Sequence, residues 1–185
     1  MDDTATRARS FVVRSATATD VPAIAAIYYH HVAHGTASFE LAPPTVDDML
    51  QHFETSERSD YPYFVAQKDS GRVVGYAYAG PYRARPAYRH AVENSVYVGA
   101  NELGHGIGSA LLAALIDECA ARGYRQMIAI IGGADNEASI RLHARHGFAE
   151  VGRLQGVGHK FDRWLDTVLM QRALGPGATS PPSRL

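Results

Sequence analysis

Three glycines at alternate positions form the most informative motif of this sequence. Gly104, Gly106 and Gly108 lie in the segment LGHGIGSALL and directly precede a run with helical periodicity. Glycine lets the backbone turn tightly and leaves its N–H groups uncovered, and a helix N-terminus carries a partial positive charge. The motif therefore predicts a main-chain site for an anion such as a pyrophosphate. Glycine-rich turns also occur before helices for packing alone, so the motif by itself leaves both interpretations open.

Two other phosphate-binding motifs do not fit this segment. It lacks the Lys-Ser/Thr ending of an ATP-binding P-loop. It also comes past residue 100, with no acidic residue where a dinucleotide fingerprint requires a ribose ligand.

Hydrophobic periodicity around the motif predicts the order β-α-α-β-β-β-α-β-α-β-β, an α/β fold with a sheet of mixed direction. Thr19 or Asp20 caps a first helix, and Thr45 with Asp48 forms a capping box that opens a second. The strand before the glycine motif, the helix after it and the next strand make a βαβ unit with a parallel pair. We predict strands over residues 11–14, 63–67, 73–79, 88–98, 126–131, 150–154 and 163–171, and a helix over 136–146.

Composition indicates one globular domain in a chain of 185 residues with 46% hydrophobic residues and a net charge of -1. We expect this domain over residues 11–174, with flexible ends at 1–10 and 175–185. A near-zero net charge disfavours nucleic acid as a partner. The single cysteine and the lack of a secretory signal favour the cytoplasm, and no apolar run is long enough for a membrane anchor.

The segments ENSVYV, GHGIGSALL and NEASIRLHARHGF resemble motifs of the GCN5-related N-acetyltransferases (GNAT). More narrowly, YAYAGPYRARPAYRHAVENSVYV and VGHKFDRWLD are similar to the phosphinothricin N-acetyltransferase group, and the resemblance covers about residues 12–174. It implies the GNAT fold, with a mixed, mostly antiparallel central sheet and about four flanking helices. The central parallel strand pair is splayed to admit acetyl-CoA, which donates its acetyl group to an amine.

The resemblance also implies which residues contact acetyl-CoA. Val96, Tyr97 and Val98 present main-chain groups to the pantetheine arm, and Asn136 matches the family's cofactor-contacting Asn. Leu103 departs from the motif, which usually has Arg or Gln there, and thereby lacks a side-chain donor. The backbone amides expected to hold the pyrophosphate are those of Gly104, His105, Gly106, Ile107, Gly108 and Ser109.

Acetyl transfer to an amine requires a base, because an alkyl ammonium is not a nucleophile. Glu93, Ser95 and Tyr97 share one face of their strand, and Glu93 matches the family's carboxylate. We take Glu93 as the general base, acting directly or through a water. The alternative is a strand-edge carboxylate paired with an arginine.

The wider superfamily usually has a tyrosine near the thioester sulfur at the position of His143. The phosphinothricin group has a histidine there, as this chain does. Two functional roles are open: donation of a proton to the departing thiolate, or ordering of the base. The third alternative is a histidine of the core or of a helix cap.

The acceptor site is predicted from the segment PYRARPAYR and the loop after the first helix. Arg83 and Arg85 supply planar guanidinium groups for a carboxylate, phosphinate or sulfone oxygen, and Tyr88 supplies a wall and a donor. The loop that contains Phe39 resembles the family's substrate-covering segment, which implies that Phe39 packs on the acceptor. The alternative is a solvated basic hairpin. Lys160, Trp164 and Asp166 recur near the family's site or dimer interface, and their individual roles stay open.

Other kinds of chemistry are disfavoured by spacing. The nine histidines do not fall into a zinc-site register with carboxylates or cysteines, so we expect no metal. Neither Ser95 nor Cys119 has a readable histidine partner, which favours direct transfer in a ternary complex over a covalent intermediate. The resemblance implies a homodimer.

The leading hypothesis is a cytoplasmic N-acetyltransferase that acts on the α-amine of a small amino-acid-like compound such as phosphinothricin, methionine sulfoximine or methionine sulfone. Two alternatives stay open. One is an acetyltransferase for peptide or protein amines, and the other is a non-catalytic regulator that binds acetyl-CoA.

Overall fold

The computed structural model describes residues 10–182, which form seven strands and four α-helices around one sheet. The strands are β1 (Phe11–Ser15), β2 (Tyr63–Lys68), β3 (Val73–Pro81), β4 (Ala91–Val98), β5 (Gln126–Gly132), β6 (Ala149–Lys160) and β7 (Arg163–Ala173). The helices are α1 (Val21–His34), α2 (Val46–Arg58), α3 (Ile107–Ala121) and α4 (Glu137–Arg145).

The sheet has the strand order β1-β2-β3-β4-β5-β7-β6 and is antiparallel except for the central pair β4 and β5. This parallel pairing is short: it joins Ala91 to Gln126, Val92 to Met127 and Glu93 to Ile128. Beyond Glu93, β4 stays paired with β3 while β5 stays paired with β7. The two strands are therefore splayed past Glu93, as the family resemblance predicts.

Two apolar clusters cover the opposite faces of the sheet. Successive side chains of β2 point to opposite faces, so that Val65 packs with α1 and α2 while Ala66 packs with α3. Leu111, Leu112 and Leu115 of α3 are fully buried, because this helix is apolar over most of its circumference. The two layers hold β4 and β5 at fixed positions on either side of the gap between them.

The predicted order of strands and helices is confirmed, with corrections at element ends. Residue 88 is not in a strand: Pro86–Tyr88 forms one turn of 3-10 helix, and β4 begins at Ala91. The ring of Pro86 fixes its φ angle and favours this turn. The strand predicted to end at Leu154 continues to Lys160, because β6 pairs with β7 across bulges and a tight turn at positive φ at Phe161 and Asp162.

The helix starts follow capping geometry. The predicted capping box of Thr45 and Asp48 is present, with the Thr45 hydroxyl 3.1 Å from the Asp48 amide. Asn136 caps α4 rather than belonging to it, and its side chain accepts from the Ser139 amide. The first helix begins at Val21 with Asp20, one of the two predicted caps, as its N-cap. It follows a one-turn 3-10 helix in which Thr17 and Asp20 form a capping box.

The chain after β7 has contacts as far as it is described. Leu174 is buried, and Nη2 of Arg125 donates to the carbonyls of Ser180 and Pro181. Predicted flexible residues 1–9 and 183–185 lie outside the described residues. The domain limits at 11 and 174 stay predictions.

Candidate active site

A cavity of about 930 Å³ opens where β4 and β5 diverge. Its walls come from β4, β5, the glycine segment, α4 and the loop between α1 and α2. Among the described residues no helix has both the length and the apolarity to cross a membrane. The predicted site residues that line the cavity are Phe39, Glu93, Val96, Tyr97, Val98, Gly104, Gly106, Ile107, Gly108, Ser109, Asn136 and His143.

The glycine segment has the geometry of an anion site. Gly104 and Gly106 have φ angles of 79° and 78°, and Gly106 is the N-cap of α3 in the left-handed region. Apart from the adjacent residues, no atom of residues 10–182 lies within 4 Å of a Cβ built on Gly104 or Gly106, so the backbone is open there. The first-turn amides of a 15-residue helix have no partner within the helix and bind anions readily.

The neighbours of the glycine segment modify this site. Leu103 lines the cavity and is 61% exposed, so it adds an apolar side chain where the family motif has a donor. His105 is not among the lining residues. The hydroxyl of Ser109 lies 2.8 Å from Nε2 of His146, which connects the start of α3 to the end of α4. Backbone amides are therefore the main donors in this segment.

The free edge of β4 supplies further main-chain groups. From Asn94 onward, no ladder to β5 occupies the edge that faces the gap. Nε2 of His31 lies 2.8 Å from the carbonyl oxygen of Val98 and donates to it, so this carbonyl already has a partner in the protein. The groups of Val96 and Tyr97 remain candidates for the pantetheine arm.

Glu93 is the last β4 residue paired with β5, so its carboxylate sits at the apex of the splay. Burial raises its pKa, and the nearby positive charge of Arg83 opposes that shift. Among the described residues its carboxylate takes part in no ion pair and no hydrogen bond, unlike the buried Glu102, which pairs with Lys68 and Arg72. A half-buried carboxylate with a raised pKa and no partner is suited to accept a proton.

His143 is buried, with 4% of its surface exposed, and both ring nitrogens have partners. Nδ1 lies 2.8 Å from the carbonyl oxygen of Ser139, which can only accept, so Nδ1 carries the proton. Nε2 lies 2.9 Å from the amide nitrogen of Asn94 and accepts from it. The ring is neutral, and burial lowers its pKa. This geometry favours an ordering role over proton donation.

A neutral buried His143 makes stability depend on pH. Unfolding exposes the ring, whose ordinary pKa is about 6.5, so the unfolded chain binds the extra proton below that pH. We expect the free energy of unfolding to fall as the pH drops below about 6.5, by up to about 1.4 kcal/mol per pH unit for this residue. Urea unfolding between pH 5 and 8 should show a shallower decline for His143→Gln. Equal slopes would contradict the neutral assignment.

The predicted acceptor residues are only partly brought together. Phe39 lines the cavity. The positive charge of Arg83 acts to lower the pKa of Glu93, and the Arg83 guanidinium lies 4.3 Å from the centre of the Tyr82 ring. Arg83, Arg85 and Tyr88 are all exposed and do not line the cavity of their own chain. Tyr88 belongs to the one-turn 3-10 helix Pro86–Tyr88 and Arg85 is its N-cap, so neither is part of β4.

Several site residues were missed or left without a role by sequence reasoning. His31, Ser38 and Tyr78 line the cavity, and none of them was predicted as a site residue. Lys160 is buried against loop carbonyls, Asp166 accepts from the Gly156 amide at 2.9 Å, and Trp164 is 70% exposed. No local pattern marks these contacts, because their partners are distant in the sequence.

Metal ligands and the single cysteine are the other side chains that could take part in chemistry. The described residues contain no cluster of three or more His, Cys, Asp or Glu side chains placed to hold a metal ion. Burial raises the pKa of the Cys119 thiol to about 12, which leaves it unreactive as a nucleophile.

The splayed parallel pair, the open backbone at two glycines and a carboxylate at the apex with no partner among the described residues suit group transfer from an extended anionic cosubstrate. The family model described as "Acetyltransferase (GNAT) family" matches residues 25–148. The chain belongs to this acetyltransferase family. The predicted family and fold class are both confirmed.

Similar proteins place the chain more narrowly. It is 49% identical over 163 residues to a phosphinothricin N-acetyltransferase of Alcaligenes faecalis, covering 88% of this chain and 82% of that protein. It is 41% identical to an L-methionine sulfoximine/L-methionine sulfone acetyltransferase of Pseudomonas aeruginosa, covering 91% and 98%. A phosphinothricin acetyltransferase of Sinorhizobium meliloti, solved in complex with AcCoA, has a TM-score of 0.92 and 44% identity, covering 95% and 94%.

Proposed function

We propose that this protein transfers an acetyl group from acetyl-CoA to the α-amine of a small amino-acid-like acceptor of the phosphinothricin, methionine sulfoximine or methionine sulfone type. The observation that carries the proposal is the position of Glu93, an unpaired half-buried carboxylate where β4 leaves β5. The names of the similar proteins support this acceptor class.

The cavity has a volume and a lining that support acetyl-CoA as the cosubstrate. Its volume of about 930 Å³ is in the range of cofactor sites, and it runs from the glycine segment to Glu93. The backbone is open at Gly104 and Gly106, the amides from Gly104 to Ser109 are proposed to bind the pyrophosphate, and Asn136 lines the same cavity. Acetyl-CoA supplies the acetyl group as a thioester.

The residues of the chain perform the remaining steps. Glu93 accepts a proton from the acceptor's ammonium, directly or through a water, and so frees the nitrogen lone pair. The nitrogen attacks the thioester carbonyl carbon, a C–N bond forms, the C–S bond breaks and the thiolate leaves with the electron pair. The nitrogen also loses its second proton, which protonates the thiolate to give the CoA thiol, and the proton held by Glu93 passes to solvent. His143 is neutral, is held within α4 by the Ser139 carbonyl, and links α4 to β4 through Asn94, the residue next to Glu93.

A thiol-release assay across acceptors tests the proposed function. We expect CoA release with acetyl-CoA and methionine sulfoximine, methionine sulfone or phosphinothricin, and little with a free-amine peptide. Preference for the peptide would favour the peptide acetyltransferase alternative. If acetyl-CoA binds but no acceptor in the panel releases CoA, the protein is a binding regulator and the proposal fails.

Arg83 provides a test of acceptor recognition. We propose that Arg83 and Arg85 hold the acceptor's acid group, with Tyr88 and Phe39 as walls. Arg83→Ala should raise the acceptor's KM by roughly ten- to a hundredfold, because charge-assisted hydrogen bonds are lost. It should also move the acidic limb of the kcat/KM profile to higher pH, since Arg83 lowers the pKa of Glu93. Equal loss towards amines without an acid group would contradict this role.

The oligomeric state and the cellular compartment belong to the same proposal. We propose a homodimer, which would let Arg85 and Tyr88 contribute to the acceptor site of a second copy, since they lie outside the cavity of their own chain. Sedimentation equilibrium tests the dimer. The proposed setting is the cytoplasm, and acetylation of a toxic amino-acid analogue would neutralise its amine and confer resistance to it.

A further inference from the structure

Lys160 is a buried charge that the proposed chemistry does not use. It ends β6, it is 4% exposed, and it takes part in no ion pair among the described residues. Its Nζ donates to the carbonyl oxygens of Gly35 and Ser38, each at 2.9 Å. Burial lowers its pKa. A buried ammonium is costly unless it is hydrogen-bonded, so these two carbonyls explain why the side chain is tolerated there.

The two carbonyls belong to residues 35–40, here called the wall segment, which follows α1 and lines the cavity through Ala37, Ser38 and Phe39. This segment has no regular secondary structure, so its carbonyls need partners from elsewhere. The hydroxyl groups of Tyr28 and Ser38 lie 2.8 Å apart and add a second attachment, to α1.

Phe39 is held in a slot between two glycines. A Cβ built on Gly158 would lie 2.3 Å from Cε2 of the ring, and one built on Gly132 would lie 2.8 Å from Cε1. Any larger residue at either position would displace the ring. Gly158 and Lys160 are two residues apart on β6, so one strand carries both the ammonium and one side of the slot.

We infer that Lys160 is a positioning residue that fixes the wall segment so that Phe39 closes the acceptor side of the cavity. The inference rests on the proposed function for its kinetic consequence alone. The hydrogen bonds of Lys160 hold the backbone on both sides of Ala37, and the glycine slot then sets the direction of the Phe39 ring. Neither contact reaches the glycine segment of α3, so acetyl-CoA binding is independent of them.

Lys160→Met tests this inference, because it keeps the side-chain length and removes the donors. We expect the KM of the acceptor to rise roughly tenfold, the effect of losing charge-assisted hydrogen bonds, with the KM of acetyl-CoA unchanged. Hydrogen exchange of residues 35–40 should become faster. Lys160→Arg, which keeps donors, should restore part of both readouts. Arg153→Met, an exposed charge on the same strand, should change neither.

A double-mutant cycle separates positioning from general stability. Phe39→Ala alone should raise the acceptor's KM, and Lys160→Met should then add less than twofold, because both act through one ring. Full additivity, or unchanged exchange in a folded Lys160→Met protein, overturns the inference. If Lys160→Met does not fold, Gly158→Ala displaces the same ring with Lys160 intact and should raise the acceptor's KM. Suppose that hydrogen exchange of residues 35–40 is slow in the wild type and faster in Lys160→Met, but the wild type transfers no acetyl group. That result refutes the proposed function and leaves the positioning role of Lys160 intact.

Discussion

Glu93→Gln is expected to lower kcat by a hundredfold or more, which is the usual scale for loss of a general base. The amide keeps the shape of the carboxylate but cannot accept the ammonium proton. The KM of acetyl-CoA should stay nearly constant, because the amides of the glycine segment do not involve this side chain. Steady-state rates of CoA release with methionine sulfone as acceptor measure both quantities.

Glu150→Gln is the matched control, because Glu150 is an exposed carboxylate that pairs with Arg153 on β6. It should leave kcat unchanged. In the wild type, activity should decline as the pH falls through the raised pKa of Glu93, because protonation removes the base. An acidic limb that persists unaltered in Glu93→Gln would assign the base to another group.

Local patterns were enough to predict the order of elements. Strands with a period of two and helices with a period near 3.6 differ clearly in this chain, and capping residues such as Thr45 mark helix starts. The glycine segment was recognised for the same reason, because the role proposed for it depends on the backbone conformation at Gly104 and Gly106. The role proposed for Glu93 needed the family motif as well. Strand periodicity shows that Glu93 shares a face with Ser95 and Tyr97, but only the motif indicates that this face belongs to an active site.

Contacts between distant parts of the chain were out of reach. Lys160 and the carbonyls that it binds are separated by 125 and 122 residues, and His143 and Asn94 by 49. A histidine's tautomer and a lysine's burial follow from such partners. Sequence reasoning therefore left His143 with three roles and Lys160 with none. Arg85 lies outside the cavity at the start of a one-turn 3-10 helix, and the sequence pattern did not indicate that turn.

Gly106→Val is expected to weaken acetyl-CoA binding by roughly ten- to a hundredfold. Gly106 has a φ angle of 78°, and a β-branched residue is strongly disfavoured in this left-handed region. The backbone would relax towards negative φ and turn the amides of the first helical turn away from the pyrophosphate. Each lost charge-assisted hydrogen bond costs about 1.5–3 kcal/mol, which is about tenfold or more in affinity. Titration calorimetry with CoA measures the Kd.

The effect should come from backbone direction rather than from packing, because no atom lies within 4 Å of a Cβ built on Gly106. Gly152→Val is the matched control: that glycine is equally free of neighbours, but it lies in β6 without a positive φ, where valine is favourable. Both variants should fold, and only Gly106→Val should lose affinity for CoA. A wild-type Kd in a folded Gly106→Val protein would show that the pyrophosphate is held elsewhere and would remove the glycine segment from the site.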